Sequence, residues 1–377
     1  MTIELIPGLA GVPIAKSSVC YLDGSVGKLQ YRGYPIEVLA EHCSYEEVAY
    51  LLLNGRLPTR EQLETFADEC VHHRRLKFRI IDMMKCLPES GHPMDALDAA
   101  VAALGMFYPS DHINSVQARF DSAHRILAKM PTIIAAWERI RHGDEPIMPR
   151  DDLSHAANFL YMLTGREPDP TVAKVFDVCL VLHAEHQMNA STFAGRVTGS
   201  TLADAFSVVS SAIGTLAGPL HGGANEDVLA MLRGIPKGVD LKSWASERLE
   251  KKLKIAGFGH REYKVKDPRA TILQRLVVQL FEKFGHTPIY DTALELENVM
   301  AELVGHKGVY PNVDFYSGIV YEKMAIPQDL FTPIFAMARG AGWLAHWLEQ
   351  LEDNRIFRPN QVWSGEADRA FVPIYKR

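Results

Sequence analysis

Several segments of this chain combine residues that can move protons or hold anions with the glycine and proline breaks that would bring them to one surface. Gly218-Pro219-Leu220-His221-Gly222-Gly223-Ala224-Asn225 sets an imidazole between a helix end and a helix start. Its glycines permit close approach of a ligand or unusual backbone angles. Asn225, followed by Glu226 and Asp227, has the composition of an N-cap, so a His that merely caps a helix is the structural alternative. Gly257-Phe258-Gly259-His260 places a second imidazole after a Gly-x-Gly turn, and Arg261, Lys264, Lys266 and Arg269 follow within nine positions. Such a cluster suits phosphates or carboxylates, and a solvated charged loop is the ordinary alternative. It is not a dinucleotide fingerprint: Glu262 stands where the third glycine belongs, and no strand precedes it.

Two further groups pose an electrostatic question. Tyr310-Pro311-Asn312-Val313-Asp314-Phe315-Tyr316 embeds a carboxylate among apolar and aromatic residues. Desolvation there would raise its pKa and make it a better base, whereas an Asp that caps the next helix would be structural. Arg339 lies inside Phe335-Ala336-Met337-Ala338-Arg339-Gly340-Ala341-Gly342-Trp343, with no acid within four residues on either side. An unpaired buried guanidinium costs several kcal/mol, so Arg339 requires a distant salt-bridge partner, a path to solvent, or a bound carboxylate. His183-Ala184-Glu185-His186 puts two imidazoles at i, i+3 of an expected helix. A metal site there lacks the His-Glu-x-x-His spacing and an evident third ligand.

The elements that must position these groups are helical. The opening is the one β region: Ser18–Leu22 and Lys28–Tyr31 flank the turn-rich Asp23–Gly27, which predicts a small hairpin. Ser44-Tyr45-Glu46-Glu47 and Thr59-Arg60-Glu61-Gln62 are capping-box patterns, and Asn54-Gly55 suits a left-handed helix end. Helices are expected near 93–106, 115–141, 151–164, 171–195, 201–217, 225–233, 241–254, 268–284, 290–304 and 328–351. Leu202–Ala217 is rich in Ala, Ser and Gly and would let helix backbones approach closely. Leu330–Leu348 is apolar nearly all round and should be central. Helices do not alternate with strands, which argues against a doubly wound sheet, and no fixed-period internal repeat is present.

At 377 residues and 47% hydrophobic composition the chain can bury a large core in two domains or one. A net charge of −6 argues against a general nucleic-acid binder. Apolar runs are broken below spanning length, as Val172–Leu182 is by Lys174 and Asp177, so no membrane association is expected. Met1-Thr2-Ile3-Glu4 does not read as a secretory signal. The five scattered cysteines form neither a disulfide framework nor paired metal ligands, and a cytoplasmic protein fits best.

Taken together, these segments resemble the citrate synthase family. The matching motifs are His183-Ala184-Glu185-His186-x-x-Asn189-Ala190-Ser191-Thr192, Gly218–Asn225, Gly257-x-Gly259-His260-Arg261-x-Tyr263-Lys264-x-x-Asp267-Pro268-Arg269-Ala270, Pro311–Gly318 and the Ala338-Arg339 helix, in family order. The likeness runs from Pro7-Gly8-Leu9-x-Gly11-Val12 to Val372-Pro373-Ile374, in the compact form of the shorter, dimer-type bacterial and archaeal enzymes.

The resemblance implies an all-α, two-domain fold, with a large domain of 1–221 and 326–377 and a small one of 222–325. It implies a transferase of the tricarboxylic acid cycle that condenses acetyl-CoA with oxaloacetate. Asp314 would take the methyl proton, His221 would hold the enolate oxygen, and His260 would polarise the oxaloacetate carbonyl. His186, Arg269 and Arg339 would bind oxaloacetate, joined by Arg358 from across a homodimer interface. Lys264 and the backbone of Ile255, Gly257 and Gly259 would lie along CoA. No permanently bound cofactor and no metal is implied. Glu262, where Val is usual, would weaken phosphate binding slightly unless it pairs with Lys264 or Arg261. A 2-methylcitrate synthase using propionyl-CoA is the alternative, since one methylene changes selectivity by only about 1–3 kcal/mol. A non-catalytic helical scaffold is the rival of another class; His221, His260, Asp314 and the three arginines stand against it.

Overall fold

The loop Asp23–Gly27 does close a hairpin, between β1 (Cys20–Asp23) and β2 (Lys28–Tyr31), and a short β3 (Tyr34–Pro35) adds a third antiparallel strand. The computed structural model describes residues 5–109, 113 and 115–377; the reading of Met1–Glu4 lies outside them. Everything else regular is helical: α1 (Ile36–His42), α2 (Tyr45–Asn54), α3 (Arg60–His73), α4 (Phe78–Lys85), α5 (Pro93–Phe107), α6 (Val116–Ile140), α7 (His155–Thr164), α8 (Pro170–His183), α9 (Ala190–Ser200) and α10 (Ala205–Leu216). They continue as α11 (Ala224–Arg233), α12 (Leu241–Glu250), α13 (Pro268–Phe284), α14 (Pro288–Val304), α15 (Val313–Lys323) and α16 (Phe331–Glu352). No described helix is long and apolar enough to cross a membrane.

Local chemistry sets many of the boundaries. Ser44 with Glu47, and Thr59 with Gln62, form the expected capping boxes of α2 and α3, and Gly55 ends α2 at φ +75°. The helix α16 is the hub, packing against α2, α6, α8, α9 and α10 with Trp343 and Trp347 fully buried. Truncating either Trp would cost about 3–5 kcal/mol. The small-residue helix α10 lies close against α9 and α5, as its composition suggests. The helices α11 to α15 pack largely on one another.

The helix expected over 171–195 is instead two, α8 and α9, separated by residues 184–189. Its apolar periodicity continues, but its backbone groups find partners elsewhere. The His183 carbonyl accepts from Arg339 Nε at 2.7 Å, and the Ala184 carbonyl accepts from the Gly342 N–H at 3.1 Å. Gln187 then turns left-handed at φ +54°, and Asn189 caps α9 by accepting from the Thr192 N–H. His183 and His186 therefore do not share one helical face. His183 ends α8 with its Nδ1 on the Cys179 carbonyl, while His186 lies beyond the helix. Asn225 is not the cap of α11 either: Gly223 holds that position without a side-chain bond, and Asn225 is buried with its Nδ2 unpartnered among the described residues.

Candidate active site

The floor of the site is Arg339. Packing of α16 among five other helices leaves its side chain 1% exposed. Its Nε donates to His183 O, its guanidinium sits 4.6 Å from the Phe335 ring centroid, and it makes no salt bridge among the described residues. Burial pushes its pKa down, opposed by the field of Glu185. Neither a distant salt bridge nor solvent resolves the question its sequence posed, so its two terminal nitrogens remain available to an anion. Arg269, 2% exposed in the first turn of α13, is the contrast. It binds the fully buried Asp267 in a bidentate pair, Nε to Oδ1 at 3.0 Å and Nη2 to Oδ2 at 2.7 Å. Burial opposes its charge, but Asp267 outweighs that and raises its pKa.

His260 is set by backbone. Gly257 and Gly259 take φ of +78° and +84°, and a Cβ on Gly257 would meet Val228 at 2.7 Å and Phe315 at 2.8 Å, so only glycine fits there. The loop is tied to the start of α15 by Gly259 N–H to Tyr310 O, Asn312 N–H to Gly257 O and Asn312 Nδ2 to Gly259 O. His260 Nδ1 accepts from the N–H groups of Glu262 and Tyr263 at 3.0 and 3.3 Å. With Nδ1 accepting, the proton of a neutral ring sits on Nε2. Burial and then Arg269 push its pKa down to about 4, so the ring is neutral at pH 7. His186, 5.0 Å away between ring centroids, meets Tyr263 Oη through Nε2 at 3.3 Å, and burial holds it well below the ordinary range.

His221 sits in the turn between α10 and α11, and its Nε2 accepts from the Ser191 N–H at 3.2 Å, which leaves Nδ1 as the protonated nitrogen. Ser191 Oγ lies 2.9 Å from that Nε2 and also accepts from Trp343 Nε1 at 3.1 Å, tying His221 to both α9 and α16. Burial, with Arg339, pushes His221 down to about 4. Asp314 occupies the first turn of α15, which Asn312 caps through the Asp314 N–H, so the cap is Asn312 rather than Asp314. Burial raises the Asp314 carboxyl to about 6, while Arg269 and Arg339 pull it the other way. The site thus holds two neutral imidazole donors, a carboxylate poised near neutrality and a buried cation. That set suits proton abstraction next to a carbonyl with stabilisation of the resulting oxyanion.

Other expected residues stand apart. Arg358 is exposed in the segment after α16 and is not brought to the site within this chain. Lys264 is exposed and Ile255 buried, on the loop that carries His260. Lys266 is neutralised by Glu297, whereas Glu262 makes no salt bridge with Lys264 or Arg261 among the described residues. No group of three or more potential metal-ligating His, Cys, Asp or Glu occurs among the described residues. Sequence reasoning missed Tyr263 as a partner of His186, Ser191 as the anchor of His221, and a buried chain beneath them. In that chain Glu185 Oε1 meets His346 Nε2 at 3.1 Å, and Arg196 joins His346 Nδ1 to Glu349. The charged residues Glu185 and Arg196 amid apolar runs were the available signal.

Residues 8–360 match the family model described as citrate synthase, C-terminal domain. A citrate synthase of Synechocystis sp. is 58% identical over 370 residues, covering 98% of this chain and 93% of the relative. The crystal structure of citrate synthase from Pyrobaculum aerophilum superposes with a TM-score of 0.94 at 42% identity, covering 99% of this chain and 95% of that one. Citrate synthase from Thermoplasma acidophilum, solved as a ternary complex with carboxymethyl coenzyme A and oxaloacetate, gives 0.93 at 33% identity, covering 99% of this chain and all of that one (100%). This chain belongs to the citrate synthase family.

Proposed function

We propose that the site condenses acetyl-CoA with oxaloacetate to form citrate and CoA. The observation that carries this reading is Arg339, a buried guanidinium without an acid partner, beside two neutral imidazoles and a carboxyl raised to about 6. Oxaloacetate supplies the missing carboxylate, held by Arg339, Arg269 and His186. The Asp314 carboxylate takes a proton from the methyl group of the thioester, and His221 donates Nδ1–H to the enolate oxygen. A neutral imidazole does this without giving up its proton outright, which keeps the enolate reactive. The new carbon–carbon bond forms at the ketone carbon while His260 Nε2 gives its proton to the ketone oxygen, and the ring takes a proton back from solvent as Asp314 sheds the one it gained. Water then cleaves the thioester, releasing citrate and the CoA thiol. The Thermoplasma relative, solved with oxaloacetate and a CoA derivative, supports the pairing of substrates.

The catalytic groups would come from two lobes, 1–221 with 326–377 and 222–325, with His221 at the junction. Closing them would exclude water from the thioester. Oxaloacetate would bind first, its charge drawing Arg339 and Arg269 together. Equal acetyl-CoA affinity with and without oxaloacetate in calorimetry would count against this order. Lys264 and the Ile255–Gly259 backbone would lie along CoA. The segment beyond α16 exposes Ile356, Trp363, Phe371, Ile374 and Tyr375, an apolar set that favours a homodimer in which Arg358 completes the other subunit's site. Five free cysteines fit a cytoplasmic location.

Oxaloacetate-dependent CoA thiol release with acetyl-CoA and with propionyl-CoA, in wild type and Asp314→Asn, tests this. Strong acetyl-CoA turnover that disappears in the variant is expected. A preference for propionyl-CoA would reassign the substrate to 2-methylcitrate synthesis, and no release with either would sink the reaction.

A further inference from the structure

The turn that orients His260 is held from outside its own lobe. His260 Nδ1 takes its two hydrogen bonds from the N–H groups of Glu262 and Tyr263, and these peptides lie directly against the tip of the β1–β2 hairpin. Gly24 O accepts from the Lys264 N–H at 2.9 Å. A Cβ on Gly24 would fall onto the Glu262 carbonyl and lie 2.9 Å from the Tyr263 nitrogen. A Cβ on Gly27, which has φ +67°, would lie 3.0 Å from the Val265 side chain and 3.4 Å from the Lys266 carbonyl. Gly24 thus meets the peptides of the turn backbone against backbone, while Gly27 lies beside the Val265 side chain just after it. Contact that close leaves no room for a side chain at Gly24, and Gly24 has no positive φ to explain its glycine otherwise.

From this contact we propose that the hairpin tip is a clamp, with Gly24 a positioning residue that fixes the tautomer and aim of His260. The proposal rests on the reading of His260 as the group that polarises the oxaloacetate carbonyl. With the 262–264 turn pressed against Gly24, two amides point at Nδ1 and the proton is confined to Nε2, facing substrate. Displacing the turn removes those donors, so Nδ1 becomes free to accept a proton. The ring then populates both tautomers and its pKa rises, because donors to an unprotonated nitrogen disfavour its protonation. The clamp also links the hairpin's lobe to the loop's, so His260 would be correctly oriented only when the two are in contact.

The test compares wild type with Gly24→Ala by imidazole-15N NMR, the His260 signal being assigned by its loss in His260→Asn. Wild type is expected to show the Nε2–H tautomer with Nδ1 hydrogen-bonded. Gly24→Ala is expected to show mixed tautomers, a His260 pKa raised by about one unit or more, and kcat lowered at least about tenfold. Circular dichroism confirms folding. If Gly24→Ala does not fold, Gly27→Ala, which pushes first on the pliable Val265 side chain, should shift His260 the same way by less. Val26→Ala, at the exposed tip, should change nothing. A His260 signal with wild-type tautomer and titration in a folded Gly24→Ala or Gly27→Ala protein overturns the clamp. That readout is independent of turnover, so it separates failure of the clamp from failure of the proposed reaction, which wild-type thiol release tests alone.

Discussion

Arg339 and Arg269 are almost equally buried, yet the two regions that hold them handle a buried charge in opposite ways. The floor, built from α8, α9 and α16, is rigid helix packing: Arg339 is immobilised by the His183 carbonyl and the Phe335 face and lacks an acid. The rim, built from the His260 loop and the first turns of α13 and α15, is held by backbone hydrogen bonds between loops, and its Arg269 carries its own acid, Asp267. A charge inside a helix bundle can wait unpaired because the surrounding core prevents its escape. A charge in the first turn of a helix that follows a loop would swing to solvent unless a neighbour held it. The floor therefore keeps an uncompensated charge that the proposed substrate would neutralise, while the rim's arginine is already neutralised by its own acid.

The sharpest tests break this contrast. Asp314→Asn should lower kcat about 10³-fold or more in the thiol assay, the scale of losing a general base. It should also raise thermal stability slightly, because a carboxylate whose pKa is raised by burial opposes folding when ionised. Arg339→Met should lower kcat/KM for oxaloacetate about 10²- to 10³-fold, as for a buried ion pair broken at one partner. Its denaturant midpoint without substrate should be unchanged or higher, since a buried cation without an acid is removed. Arg269→Met should do the reverse in urea, destabilising by about 3–5 kcal/mol because Asp267 is left buried and unpaired. Equal stability effects of the two substitutions would erase the distinction between floor and rim.

Smaller effects refine it. The rate of acetyl-CoA turnover should rise with pH through about 6 as Asp314 ionises, and His221 and His260, at about 4, should add no limb above pH 5. Over the same window, from the ordinary carboxylate range up to about 6, the folded state holds the Asp314 proton that the unfolded state has lost. This group's contribution to stability therefore falls as pH rises, measurable as a lower melting temperature at pH 7 than at pH 5 when compared with Asp314→Asn. Arg358→Ala should raise KM for oxaloacetate about tenfold, the modest scale of one exposed charge-assisted contact. Mixing and refolding it with Asp314→Asn should recover part of the wild-type KM for oxaloacetate, because in the proposed homodimer one site of each mixed pair would have both groups.

Much of this was legible in the residues. The hairpin, both capping boxes, the central apolar helix and the glycine-flanked imidazoles follow from local chemistry: turn residues, side chains reaching N–H groups three residues on, and period-3.6 burial. The type and order of the chemical groups, and hence the family, were also in the sequence. What the tertiary structure decided is which groups lack partners and which way the others point. The break between α8 and α9 depends on Arg339 and Gly342 capturing carbonyls from the far end of the chain. The protonated nitrogen of His221 depends on Ser191, and that of His260 on two amides pressed against Gly24. Periodicity and capping act over a few residues, so the sequence alone determines elements and chemical inventory. Desolvation, tautomer and the absence of a counter-charge are properties of neighbours in space, and only the folded chain brings those neighbours together.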